Sequence, residues 1–373
     1  MNSGIYVHIP FCVRKCSYCD FYSVGCASVT DMQGYTDAVI RHMDMSQSKD
    51  LFCDSLYFGG GTPSLLPTEC VGEIIKSAKK CFSVSDNCEI TMECNPCTID
   101  KKGFAELLRH GVNRVSIGVQ SLHDSELNAL GRLHDANGAV NAIENALEAG
   151  FANISCDVMF GIPRQTRESL RQTLEKLCAL KISHISAYGL KIENGTPFSQ
   201  MSLDLPDEDS EREMYFDIIN VLKSHGFEQY EISNFARDGK NSRHNIKYWQ
   251  GDGYISFGPS ASSYVSGQRY TYTRSVKDYI EAVTNGKNPP ESERYSVDEE
   301  EKRSERIIFS LRMNEGISLS ECGLSAEKIT SNPVLSRLID EDCMILSDDR
   351  LRLTSKGFYI SNGIINEILA LLD

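Results

Sequence analysis

The feature that most constrains the fold is an alternation running through the first two-thirds of this 373-residue chain. Short runs of β-branched and apolar residues at 4–9, 55–58, 89–93, 114–119, 154–159 and 184–188 take turns with helical stretches at 31–45, 68–80, 101–109, 139–148 and 167–180. Strands alternating with helices predict a parallel sheet with its helices outside. Six such units fit an open (β/α)6 barrel, and the periodicity equally allows a doubly wound sheet or a full eight-strand barrel. In such folds function collects at the C-terminal ends of the strands, so each end is read for chemistry.

Residues 5–9 form the first strand, and Pro10 ends it. Just beyond lie Cys12, Cys16 and Cys19, spaced C-x3-C-x2-C. Three thiolates in one short loop can hold three corners of a [4Fe–4S] cube and leave the fourth iron open to a ligand. The competing reading is zinc, which prefers paired C-x2-C units, a fourth ligand and a closed site.

Later strand ends add polar groups. Phe58-Gly-Gly-Gly-Thr-Pro-Ser64 lets backbone approach a ligand without interference from Cβ atoms, or is simply a tight turn. Glu93 ends an apolar strand and can accept hydrogen bonds from a ligand, or form a surface ion pair. Cys94 and Cys97 make a C-x2-C with no second pair nearby, which argues for coincidence over a metal or redox pair. Gln120 offers a donor and an acceptor at a strand tip, and Arg132 can clamp a carboxylate or sit solvated on a helix. Asp157 lies inside an apolar run, where a charge needs a partner.

C-x3-C-x2-C after a strand resembles the radical S-adenosylmethionine superfamily. Tyr6-Val-His-Ile-Pro-Phe-Cys12 and the GGGTP word narrow the resemblance to the oxygen-independent coproporphyrinogen III oxidase-like family and its heme chaperone (HemW) branch. The resemblance implies an α/β fold, an open (β/α)6 partial TIM barrel followed by a small C-terminal α+β, winged-helix-like domain. It implies that the open iron of a [4Fe–4S] cluster chelates S-adenosylmethionine. Positions matching Tyr6, Gly60 and Glu93 would contact this ligand, with Gly61 and Thr62 against its methionyl end. Positions matching Tyr18, Gln120, Arg132, Asp157 and Lys191 would contact a second S-adenosylmethionine.

After the sixth strand comes His244-Asn-Ile-Lys-Tyr-Trp249, then a Gly/Ser/Tyr-rich run. Composition predicts an aromatic β-rich patch of ordinary core. The resemblance adds that HNxxYW recurs in the heme chaperone branch, which makes His244 a candidate heme ligand. From residue 299 the chain turns to charged helices and a hairpin at 344–346 and 351–353. Nine basic against fourteen acidic residues there argue against DNA. The domains expected are a barrel with its cysteine loop at 1–235, a connecting aromatic segment at 236–290 and a small domain at 291–373.

The formal net charge of −14 speaks against a nucleic acid partner. No apolar run is long enough to span a membrane. No signal peptide is evident, and fourteen cysteines in a large chain do not suggest a secreted disulfide scaffold, so a reducing cytoplasm is expected. Two departures bear on activity. The oxidases carry a fourth cysteine two residues after the third, where this chain has Phe21. They also have a long N-terminal arm, where this chain has a few residues. Both favour a heme chaperone that passes heme to an accepting protein, with a reductant for the cluster. Oxidative decarboxylation of coproporphyrinogen III, or a radical methyltransferase, are the alternatives, and whether the chain is an enzyme stays open.

Overall fold

The computed structural model describes residues 2–25 and 27–372. Six parallel strands stand side by side in chain order: β1 (Asn2–Ile9), β2 (Ser48–Gly60), β3 (Phe82–Cys94), β4 (Arg114–Gln120), β5 (Ile154–Phe160) and β6 (His184–Gly189). Between them run α1 (Val29–Met45), α2 (Thr68–Cys81), α3 (Lys101–His110), α4 (Asp124–Leu130), α5 (Ala136–Ala149) and α6 (Arg167–Cys178). Because strand order never reverses, the doubly wound alternative falls away. The sheet keeps two free ends, so it is an open partial barrel.

The period of two along β1 sorts its side chains. Ile5, Val7 and Ile9 are fully buried with Tyr35, Val39 and Met43 of α1. Tyr6 and His8 take the opposite, inner face, where Tyr6 stacks on Tyr57 of β2. Helix ends are defined by local chemistry. Ser28 and Asp31 form a capping box on α1, Asp100 caps α3, and Gly111 ends α3 in the left-handed conformation. Each such cap contributes about 1 kcal/mol.

Beyond β6 the chain forms α7 (Glu208–Ser224), β7 (Glu228–Gln229) and β8 (Asn234–Ala236), and β8 pairs antiparallel with β6. Then α8 (Arg243–Gln250) leads to β9 (Tyr254–Phe257), which pairs parallel with β1. An antiparallel meander of β10 (Ser262–Val265), β11 (Gln268–Tyr272) and β12 (Glu291–Ser296), with α9 (Val276–Thr284) before β12, extends the sheet. Twelve strands result among the described residues, in the order β12-β11-β10-β9-β1-β2-β3-β4-β5-β6-β8-β7. The segment 236–290, set apart in sequence as a connection, thus supplies strands of the main sheet. Its HNxxYW word opens a helix capped by Ser242 instead of a strand.

The small domain begins with α10 (Glu299–Ser310) and contains β13 (Ile317–Ser318) and the expected hairpin, β14 (Met344–Ser347) with β15 (Arg350–Leu353). Backbone bonds from Ile232 N to Arg312 O, 2.9 Å, and from Asn314 N to Tyr230 O, 3.2 Å, tie it to the barrel. Among the described residues no helix is long and apolar enough to cross a membrane.

Candidate functional site

The cysteine loop is fixed to the strand ends by backbone bonds. Gly61 N donates to Ile9 O at 2.8 Å, Thr62 N to Phe11 O at 2.7 Å and Val24 N to Pro10 O at 2.7 Å. The glycines of the second strand end permit this approach. Gly60 has φ +114°, and a Cβ there would stand 2.6 Å from the His8 ring. A Cβ on Gly61 would stand 2.7 Å from Phe11 O and 3.2 Å from Cys12 Sγ. The Gly-rich turn is therefore first a packing requirement of the loop. Thr62 Oγ1 lies 3.4 Å from Cys12 Sγ.

Farther along, Ser17 N donates to Leu130 O at 3.2 Å, and Phe198 N to Ser17 O at 3.1 Å. His8 holds the exit of the loop. Its Nε2–H donates to Tyr22 O at 2.9 Å, which leaves Nδ1 to accept from the Tyr6 hydroxyl at 3.1 Å.

Loop and strand ends enclose a cavity of about 370 Å³. Cys12, Cys16, Tyr18 and Cys19 line one side, and Gly60, Gly61, Thr62 and Glu93 another. Gln120, Arg132 and Asp157 complete it. Gln120 reaches the cavity through a register shift on β4 and a positive φ of 65°.

Glu93 is held from two sides, by the Tyr57 hydroxyl at 2.9 Å and Gly60 N at 3.1 Å. Burial pushes its carboxyl up to about 7, against the Tyr57 hydrogen bond and with help from the Asp157 charge. Asp157 accepts from Ser116 Oγ at 3.0 Å, and burial raises its carboxyl too. Burial likewise keeps the Tyr18 phenol protonated, although the Arg132 guanidinium works against that. Two partly desolvated carboxyls in one cavity are suited to receive a ligand cation such as an ammonium or sulfonium.

Three candidates do not line the cavity. Tyr6 sits behind Tyr57 with its hydroxyl on His8. Lys191 is exposed and pairs with Glu193 at 2.6 Å. His244 is 1% exposed, and both ring nitrogens are engaged, Nδ1 with Ser55 Oγ at 2.9 Å and Nε2 with the Tyr248 hydroxyl at 3.0 Å. Its ring stacks on Tyr57 with centroids 5.0 Å apart, and burial holds its pKa down at about 3. In this arrangement His244 has no nitrogen to offer a heme iron.

Other lining residues escaped the sequence reading. Arg114, 1% exposed, borders the cavity with Nε and Nη1 unpartnered. Its sequence signal was a cation opening an apolar strand. Arg14, Lys15, Phe21 and Tyr188 stand at the mouth, with Phe21 70% exposed. Of the C-x2-C pair, Cys94 lines the cavity and donates to Met92 O, while Cys97 is exposed, and both are free thiols.

The three thiols share one cavity wall. A lone zinc draws its sulfurs to about 2.3 Å, whereas a cube presents separate irons to each thiolate. Three thiol donors of one loop lining one cavity fit three corners of a cluster on Cys12, Cys16 and Cys19.

Comparison with known proteins bears on the family and the fold. The Radical SAM superfamily model matches residues 6–177 and the HemN C-terminal domain model residues 297–360. The first implies a [4Fe–4S] cluster and S-adenosylmethionine. The E. coli coproporphyrinogen III oxidase HemN, a radical SAM enzyme, superposes with a TM-score of 0.83 over 99% of this chain and 89% of its own, at 21% identity, which speaks for the fold alone. The heme chaperone HemW of Haemophilus influenzae is 35% identical over 98% of this chain and 97% of its own. That of Bacillus subtilis is 33% identical over 98% of both. With likeness of that degree running almost end to end, the chain belongs to the HemW family of radical S-adenosylmethionine proteins.

Proposed function

We propose that this protein is a heme chaperone. It binds heme and hands it to a heme-accepting protein of the cytoplasm, with S-adenosylmethionine and a reducible [4Fe–4S] cluster in the cavity at the strand ends. The observation that carries this reading is the near full-length similarity to heme chaperones. When bound, the cluster would supply an electron to S-adenosylmethionine. The chain's part is to hold the three thiolates, to offer Gly60, Gly61, Thr62 and Glu93 to the ligand, and to keep bulk water from the cavity.

The same chemistry supports a heme site at the cavity mouth. A flat apolar macrocycle with two carboxylates suits the cavity mouth, where exposed Phe21 and Tyr188 stand beside Arg14 and Lys15. The satisfied, buried His244 suits it less. Lys191, exposed on the loop after β6, would reach a second S-adenosylmethionine only by leaving Glu193.

The test is to reconstitute the protein anaerobically, add heme, follow the Soret band, then add an apo-hemoprotein as acceptor. Saturable binding followed by transfer is expected. No heme binding, together with decarboxylation of coproporphyrinogen III, would replace this reading with the oxidase one.

A further inference from the structure

Arg132 follows Gly131, the left-handed cap that ends α4. Its guanidinium turns into the cavity and is gripped there. Nη2 donates to Gly118 O at 2.8 Å and Nη1 donates to Cys16 Sγ at 3.5 Å. Nε is buried with no partner.

The backbone beneath it is locked to the cysteine loop. Ser17 N holds Leu130 O, and Arg14 Nη2 holds Gly131 O at 2.9 Å and Arg132 O at 3.3 Å. Gly118 leaves room for two side chains, since a Cβ there would stand 3.0 Å from Gln120 Nε2 and 3.2 Å from Arg132 Nη2. The loop and α4 thus carry a permanent cation against one cysteine sulfur, because an arginine keeps its charge in a protein.

A fixed positive charge that donates N–H to a ligating sulfur favours the more negative of two redox states. Hydrogen bonds to the sulfurs and net local charge are among the terms that set cluster potentials. We infer that Arg132 is a positioning residue that raises the reduction potential of the cluster held by Cys12, Cys16 and Cys19, apart from any contact it makes with S-adenosylmethionine. This rests on the cluster reading of the site. The step concerned is the gain of one electron by the 2+ cluster to give the 1+ cluster. The electron comes from a low-potential one-electron reductant, and no bond is made or broken.

The test is an EPR-monitored redox titration of the anaerobically reconstituted protein with titanium(III) citrate and mediators, without S-adenosylmethionine, after iron and sulfide analysis. At the wild-type midpoint, Arg132→Gln should lower the reduced-to-oxidised ratio about tenfold, equal to about 59 mV for a one-electron couple. Arg132→Lys, which keeps charge and loses the fork, should shift it less. Gly118→Ala, whose Cβ crowds both Gln120 and the guanidinium, should shift it slightly in the same direction. An unchanged midpoint in a fully loaded Arg132→Gln protein overturns the inference. So does loss of the cluster from all three variants, since Arg132 would then hold the loop and not tune it. A wild-type protein that binds no cluster refutes the reading of the site instead.

Discussion

The cavity and the side-chain layer next to it, two residues back along β1 and β2, are built from the same kinds of group and differ in one respect. In the inner layer Ser55, His244, Tyr248, Tyr6 and His8 answer one another, and the His244 nitrogens are both taken. In the cavity Arg114 and Arg132 retain buried N–H groups without partners, two carboxyls lie close together, and three thiols face one space. A buried polar group left unmatched costs about 1–3 kcal/mol. Unmatched groups that converge on one cavity are ones a ligand can complete, whereas satisfied groups of identical chemistry read as architecture. A histidine beside tyrosines is therefore weak evidence for a heme ligand until its nitrogens are traced.

Substitutions can break or sharpen that contrast. The largest effect is expected at Cys16→Ala, which should remove nearly all iron and sulfide after reconstitution with little change in thermal stability before it. Normal cluster content would contradict the site. Next comes His244→Ala in the inner layer. Loss of a packed, doubly bonded ring should destabilise the fold by ~2–4 kcal/mol in chemical denaturation, while below the transition heme and cluster content stay normal. Selective loss of heme with unchanged stability would return His244 to the ligand role.

Glu93→Gln should weaken S-adenosylmethionine binding about tenfold to a hundredfold by calorimetry, as befits ~1.5–3 kcal/mol for hydrogen bonds to a charged group. The same carboxyl gives a pH signature. Burial raises its pKa to about 7, so below that pH it is protonated in the free protein and repays a ligand cation poorly. Affinity should fall as pH drops from 8 to 6. Stability runs the opposite way. An acid whose folded pKa lies above its unfolded one stabilises the fold below the unfolded value, and that contribution is lost as pH rises through about 7. Affinity that does not change with pH would show that Glu93 does not meet the ligand's cation. The smallest effect belongs to the mouth. Phe21→Ser should weaken heme binding about tenfold, in line with ~1.5 kcal/mol for part of an aromatic side chain, and leave cluster and stability untouched.

Much of this was legible in sequence because it is local. The cysteine spacing, the proline that stops β1, the glycines of β2 and the polar residues closing β3, β4 and β5 all lie within a few residues of the element that presents them. The rest depends on partners far apart in the chain. Nothing near His244 announces Ser55, or Gly4, whose missing Cβ makes room for the imidazole ring. Arg114 reads as an ordinary strand start until the inner face of the barrel buries it. Residues 236–290 look like a connection because Tyr254–Phe257, the strand that joins the segment to the sheet, pairs with the first strand, about 250 residues away in the chain.

The parallel pairing of β9 with β1 also sets a schedule for synthesis. Val7 lies opposite Phe257, so the outer edge of the first strand has no neighbour until the ribosome has released most of the chain. At about 5–20 residues per second that interval is roughly 12–50 s. Throughout it an apolar strand edge faces the surroundings, open to other nascent chains. Closure of the last seam is thus a late step, possible only once Phe257 has left the ribosome. A truncation ending before Tyr254 should therefore aggregate however complete its six barrel units are.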